Sequence, residues 1–113
     1  MMVTEDQVRE MALALPEAHE EGHWGNPSFR VRKRIFAVLY PDERRVVLKL
    51  PLELQEALVA TAPKVFSLGG WSHQGWTHVS LRAAPKTAFR KHLVSAWREV
   101  APKRTIKAYE ESD

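Results

Sequence analysis

Apolar residues recur at helical spacing near the N-terminus. Val8, Met11, Ala12 and Leu15 fall at i, i+3, i+4 and i+7, one face of a helix. Thr4 and Gln7 precede that face with capping-box spacing: the threonine hydroxyl accepts from the Gln7 backbone N–H, and the glutamine amide reaches back. Pro16 stops the helix, since proline lacks an N–H and disfavours helical backbone before it.

From His19 to Leu50 the period shortens to two. Runs at Ile35–Tyr40 and Arg45–Leu50 flank Pro41-Asp42-Glu43-Arg44, which has good turn chemistry. A four-residue loop there pairs Tyr40 with Arg45. It sets Ile35, Ala37, Leu39, Val46, Leu48 and Leu50 on one wholly apolar face, the expected core face. Phe36, Val38, Tyr40, Arg45, Val47 and Lys49 take the other. The preceding strand includes Phe29-Arg30-Val31. A two-residue turn at Arg32-Lys33 would bring Arg30 to the core face and expose Phe29 and Val31. A three-residue turn over Arg32-Lys33-Arg34 pairs Val31 with Ile35 and keeps Phe29 inside, so burial favours the longer turn.

Pro51 opens a second helix with Leu50, Leu54, Ala57, Leu58 and Thr61 inward, and Pro63 ends it. Val65–Leu68 and Thr77–Leu81 alternate like strands around a loop running from Gly69 to Trp76. Pro85 starts the last long helix, with Phe89, Leu93, Ala96, Trp97 and Val100 on one stripe. Pro102 ends or kinks it, and the tail to Asp113 has room for one short turn. The order is helix, three strands, helix, two strands, helix. That order predicts an α+β fold in one domain over residues 1–113: a mainly antiparallel sheet of about five strands with three helices covering one face.

Several segments resemble the MmcQ/YjbR family, in order and over nearly the whole chain. They are Ala14-Leu15-Pro16-Glu17, Trp24-Gly25-Asn26-Pro27-Ser28-Phe29-Arg30-Val31, Ile35-Phe36-Ala37, Leu48-Lys49-Leu50, and Ala96-Trp97-Arg98 with Ala101-Pro102-Lys103-Arg104. The tryptophan-glycine run and the C-terminal Ala-Pro-Lys-Arg run are the most specific. The resemblance implies a compact fold related to the frataxin-like one and described as a double-wing DNA-binding fold. Its name implies DNA binding, while fold alone specifies no activity. At Arg32-Lys33-Arg34, where relatives tend to carry glycine, this chain is more basic.

Composition narrows the function classes. The chain has 113 residues and 44% hydrophobic content, which suit one globular domain. No run of about 18 apolar residues is present, so no membrane-spanning helix and no membrane partner are expected. Met1-Met2-Val3-Thr4-Glu5-Asp6 lacks a basic stretch followed by an apolar one, so no signal peptide is expected. The absence of cysteine excludes disulfides, thiolate metal sites and a cysteine nucleophile, and fits a reducing cytoplasm. The net charge of +3 is only mildly basic. No GxSxG, phosphate-loop, HExxH or GxGxxG motif occurs, so the chain is expected to be non-catalytic and without a cofactor. His19 and His23 share a face with Glu21 if that segment is extended, which is too little to predict a metal.

Four clusters carry candidate binding chemistry. Arg30, Arg32, Lys33 and Arg34 surround one hairpin turn, and Arg44, Arg45 and Lys49 lie on the next. Cations at hairpin tips suit phosphate contact, and equally suit a solvated turn. Phe36, Val38, Tyr40 and Val47, interleaved with Arg45 and Lys49, form either a stacking platform or a second packed face. Trp71 and Trp76 bracket a glycine-rich loop with His73, suited to stacking on bases or to covering the core edge. Lys103, Arg104 and Lys107 follow Pro102, placed to clamp a phosphate or to neutralise a helix end. The first expectation is therefore DNA binding. A protein-docking or homodimerising outer face is the alternative, and a small-ligand or enzyme site at the tryptophan loop is the third.

Overall fold

Thr4 caps the first helix as its spacing requires. Its hydroxyl accepts from the Gln7 N–H at 3.1 Å, and the Gln7 side chain accepts from the Thr4 N–H at 3.0 Å. Helix α1 (Glu5–Leu13) buries Val8, Met11 and Ala12. A computed structural model describes residues 3–112; Met1, Met2 and Asp113, the ends of the expected domain, lie outside the described residues.

Four strands follow: β1 (Ala18–His23), β2 (Asn26–Val31), β3 (Arg34–Tyr40) and β4 (Arg45–Lys49). Then come α2 (Leu52–Thr61), β5 (Phe66–Leu68), β6 (Trp76–Ser80), α3 (Lys86–Val100) and α4 (Lys103–Glu111). The strands form one fully antiparallel sheet in the order β1-β2-β3-β4-β6-β5. Tyr40 pairs with Arg45, as the four-residue loop requires. Arg44 closes that loop in left-handed backbone, at φ 49°.

The fold is α+β, but it has six strands and four helices among the described residues rather than five and three. The extra strand is β1. Its sequence, Ala-His-Glu-Glu-Gly-His, shows no apolar alternation, because an edge strand buries little. The extra helix is α4. It gives the tail nine helical residues in place of one turn, with Ile106 and Tyr109 packed against the core.

The β2–β3 register corrects the expected turn. Val31 pairs with Arg34 and Arg30 with Ile35, so the turn holds two residues, Arg32 and Lys33. Arg32 supplies the left-handed backbone at φ 59° that glycine adopts most readily. The exposure of Phe29 and Val31 that argued against this turn is avoided by a bulge. Phe29 pairs with Ala37 while the next residue, Arg30, pairs with Ile35, leaving Phe36 as the extra residue on β3. Phe36 thereby joins Phe29, Val31 and Ala37 in the core, each fully buried, and Ile35 turns to the opposite face. Strict period-two alternation placed Ile35 inside and Phe36 outside, because it has no room for an inserted residue.

All four helices pack against the same core cluster. Helix α3 supplies Phe89, Leu93, Ala96, Trp97 and Val100 to it. Trp97 is fully buried, donates from Nε1 to the Pro16 carbonyl at 3.0 Å, and lies 5.0 Å from the Tyr109 ring. One side chain thus ties the end of α1 to α3 and α4. In α2 the inward stripe is Leu54, Gln55, Leu58 and Val59; Ala57 and Thr61, expected inward, are exposed. The stripe is narrow because α2 covers the β5 margin of the sheet rather than its centre.

Candidate functional site

The opposite face of the sheet is concave, and among the described residues no α-helical side chain lines its cleft. Val38 and Val47 form the floor, Ile35, Tyr40, Arg45, Trp76 and His78 rise around it, and His23 and the Gly70-Trp71 loop close the sides. The cavity measures about 580 Å³, within the range of about 300–1,000 Å³ usual for small-molecule sites. No carboxylate lines it among the described residues. Of the four apolar residues expected on this outer face, Phe36 lies in the core, and Val38 and Val47 are 5% and 8% exposed.

Strand register fixes the rows of this cleft. Val38 pairs with Val47, which pairs with His78; Tyr40 pairs with Arg45; Lys49 pairs with Trp76. Arg45 is held by three partners. Its guanidinium donates to Glu43 at 2.8 and 3.1 Å and to His78 Nδ1 at 2.7 Å, and it stacks 4.3 Å over the Tyr40 ring. A guanidinium only donates, so His78 Nδ1 accepts and the proton of the neutral ring sits on Nε2. Burial, and then the Arg45 charge, hold His78 below the ordinary histidine pKa, while Glu43 opposes them. Gly69 abuts the ring: a Cβ there would stand 2.2 Å from His78 Nε2. Lys49 Nζ lies 5.6 Å over the Trp76 ring and donates to the Gln74 carbonyl.

The loop over the cleft is built rather than slack. Trp71 takes left-handed backbone at φ 65°, unusual for a bulky residue and costing about 1–3 kcal/mol. A short 3-10 turn at Ser72–Gln74 follows, and the buried Gln55 amide donates to Ser72 O, Trp76 O and Thr77 Oγ1. Gly75 at φ 100° passes so close to Leu50 that a Cβ would meet its carbonyl oxygen at 2.3 Å. Trp71 nevertheless remains 67% exposed. His73 stacks on Trp71 at 6.1 Å without lining the cleft. Periodicity did not identify Gln55 as the residue anchoring this loop, because a glutamine within a helix reads as surface.

The basic candidates divide into separate groups. Arg30 is drawn over β1, donating to Ser28 Oγ at 3.0 Å and Gly22 O at 3.4 Å. Arg45 and Lys49 belong to the cleft, and Arg44 sits at the β3–β4 loop. Arg32 pairs with Glu17 at 3.3 Å, at the other end of β3, roughly 20 Å from Arg44 by strand rise over seven residues. The two hairpin turns therefore do not merge into one patch. A convergence not visible in the sequence takes place at Glu17, where Thr105 Oγ1 of α4 donates at 2.5 Å. The Thr105 bond, then Arg32, then the Arg104 charge hold the Glu17 carboxyl below its ordinary pKa. The Arg32-Lys33 turn with the adjoining Arg34, and the Lys103-Arg104 start of α4, thus share one end of the molecule. Lys33, Arg34, Lys103 and Arg104 are exposed there and form no ion pair among the described residues. His19 pairs with Glu21 at 2.7 Å, and no group of three metal-ligating side chains converges among the described residues.

These features define a class: a small antiparallel α+β domain with helices on one face and an aromatic, cation-bearing cleft on the other. The YjbR family model matches residues 13–99, and the chain belongs to that family. A solved structure of similar fold is the Deinococcus radiodurans protein DR2400, described by domain DUF419. It is 23% identical, with a TM-score of 0.81 over 90% of this chain and 81% of that one. No curated protein matches. Among the described residues no helix is long and apolar enough to cross a membrane.

Proposed function

We propose that this chain is a non-catalytic nucleic-acid-binding domain that meets the phosphate backbone with the Arg32-Lys33 turn, the adjoining Arg34 and the start of α4. One observation carries the reading: Arg32 and Thr105 of α4, far apart in sequence, both donate to the same carboxylate, Glu17, which joins the turn to the start of α4 beside Arg104. Their neighbours Lys33, Arg34 and Lys103 point no charge at an acid among the described residues. Lysine and arginine neutralising phosphates release condensed counterions, so affinity falls with salt by a log–log slope of about −0.9 per contact on duplex DNA. Fluorescence anisotropy with labelled duplex and single strands, titrated with salt from about 50 mM upward, tests this. The combined Lys33→Ala, Arg34→Ala, Lys103→Ala and Arg104→Ala variant flattens the slope by about three to four contacts. Glu17→Gln, which frees Arg32, strengthens binding. Absence of binding at low salt by a folded protein, or an unchanged slope in the combined variant, overturns the reading.

A further inference from the structure

We infer that the outer-face cleft holds one unpaired nucleobase, stacked on the Arg45–Tyr40 platform beneath Trp71, an inference that rests on the nucleic-acid reading above and assigns it a strand type. Two structural features, with the charge of the lining, point to a flat, electron-rich ring with an anion beside it. Arg45 is pinned by Glu43, His78 and Tyr40 with its guanidinium stacked on a ring, so a second flat group meets a surface that needs no further ordering. Guanidinium planes and aromatic faces are the surfaces on which splayed bases stack. Trp71 is presented to the cleft, two-thirds exposed, on left-handed backbone fixed by the turn that Gln55 anchors. Exposed aromatics are tolerated singly, but one held this way over an apolar floor of Val38 and Val47 is shaped for a partner.

Charge selects the occupant. The lining contains Arg45 and no carboxylate, and Lys49 stands beside Trp76 at the end of the cleft nearest β3's first residues. Leu48 faces Ala37 across the β3–β4 pair, so Lys49 lies only a few residues along the sheet from Arg34. A strand whose base enters the cleft would carry its phosphate past Lys49 toward the exposed turn that the proposed function uses. A duplex keeps its bases paired and cannot present one, and a neutral lipid or apolar peptide gains nothing from the cations. The same chemistry, an aromatic base carrying a phosphate, also describes a free nucleotide, and the experiment separates the two.

Tryptophan emission and two-dimensional NMR report on the cleft, with a short oligothymidylate, thymidine monophosphate and a matched duplex as probes. The expected result is quenching of tryptophan emission by the oligonucleotide. Shifts at Val38, Val47 and His78 should accompany it, with binding at least tenfold tighter than to duplex at equal salt. Trp71→Ala, at an exposed loop position that leaves the core untouched, should lose about tenfold in single-strand affinity while the salt slope stays unchanged, the scale of one stacked base. Tyr40→Leu removes the lower ring of the platform and should act in the same direction. Equal binding of duplex and single strand, with cleft signals unmoved and the salt slope intact, overturns the inference and leaves the phosphate surface standing. Shifts with the monophosphate but no salt-dependent oligonucleotide binding keep the cleft as a nucleotide site and overturn the phosphate-surface function. No binding of any probe at low salt overturns both.

Discussion

Gln55 offers the sharpest test of how this fold holds its loop over the cleft. It is 7% exposed, and its amide nitrogen faces three oxygens: Ser72 O at 3.1 Å, Trp76 O at 3.3 Å and Thr77 Oγ1 at 2.9 Å. Thr77 Oγ1 spends its own hydrogen on Gly75 O at 3.0 Å, so it can only accept from Gln55. Gln55→Glu keeps the shape and replaces the donor with a carboxylate directed at acceptors. Each buried polar group left unsatisfied costs about 1–3 kcal/mol, and an unpaired ion more. The variant should therefore lose about 2–4 kcal/mol at neutral pH. At roughly 4–8 °C per kcal/mol for a domain near this size, that is a fall in Tm of about 8–32 °C. Burial raises the folded-state pKa of the new carboxyl above its unfolded value. Its contribution is then retained below the unfolded pKa and lost as pH rises through the folded one. Near pH 4 the protonated acid regains one donor, so the gap between variant and native protein should narrow there. Thermal unfolding followed by circular dichroism at about pH 4, 5.5 and 7, with the native protein measured alongside, decides the matter. A gap below about 0.5 kcal/mol at neutral pH, or one that does not change with pH, would refute the account of Gln55 as the loop's anchor.

Two further outcomes follow from the register and the cleft. Phe36→Ala should cost about 3–5 kcal/mol and Ile35→Ala less than about 2, as chemical denaturation would measure; the reverse ranking would mean that β3 runs without its bulge. His78, held down by burial and then by Arg45, should titrate below a free histidine in NMR. The folded state therefore binds fewer protons than the unfolded one, and the stability it contributes above about pH 6.5 is lost as pH falls through the depressed value. An ordinary or elevated midpoint would contradict the Arg45–His78 geometry.

Much of the fold was legible because local chemistry and global packing agree. Thr4 and Gln7 form the capping box that their spacing requires, and the Pro-Asp loop sets the Tyr40–Arg45 pair. The α3 stripe from Phe89 to Val100 is buried as its period dictates. The failures occur where long-range contacts override the local pattern. Arg32 adopts a left-handed turn without glycine, and the bulge at Phe36 absorbs the resulting slip; neither leaves a trace in a hydrophobic alternation. Strand β1 was hidden because its polar residues gain their strand from pairing with β2 rather than from burial. At the site, residue types were readable while convergence was not. Trp71, Trp76, Arg45 and Lys49 were identifiable as binding chemistry, yet only curvature of the sheet brings His23 of β1 to the same cleft as Trp71 beyond β5. Likewise no spacing rule links Arg32 to Arg104 through Glu17.

An open sheet has two raw margins, each a ladder of backbone groups ready to recruit a neighbouring chain. Here one margin, β5, is only three residues long, too short to seed a growing stack. The other, β1, carries charged side chains and a glycine along its six residues, Glu20 paired with Arg9 and Glu21 with His19, features that make an edge a poor template for a neighbouring strand. The molecule can thus leave a whole sheet face uncovered by helix without inviting fibrous self-assembly.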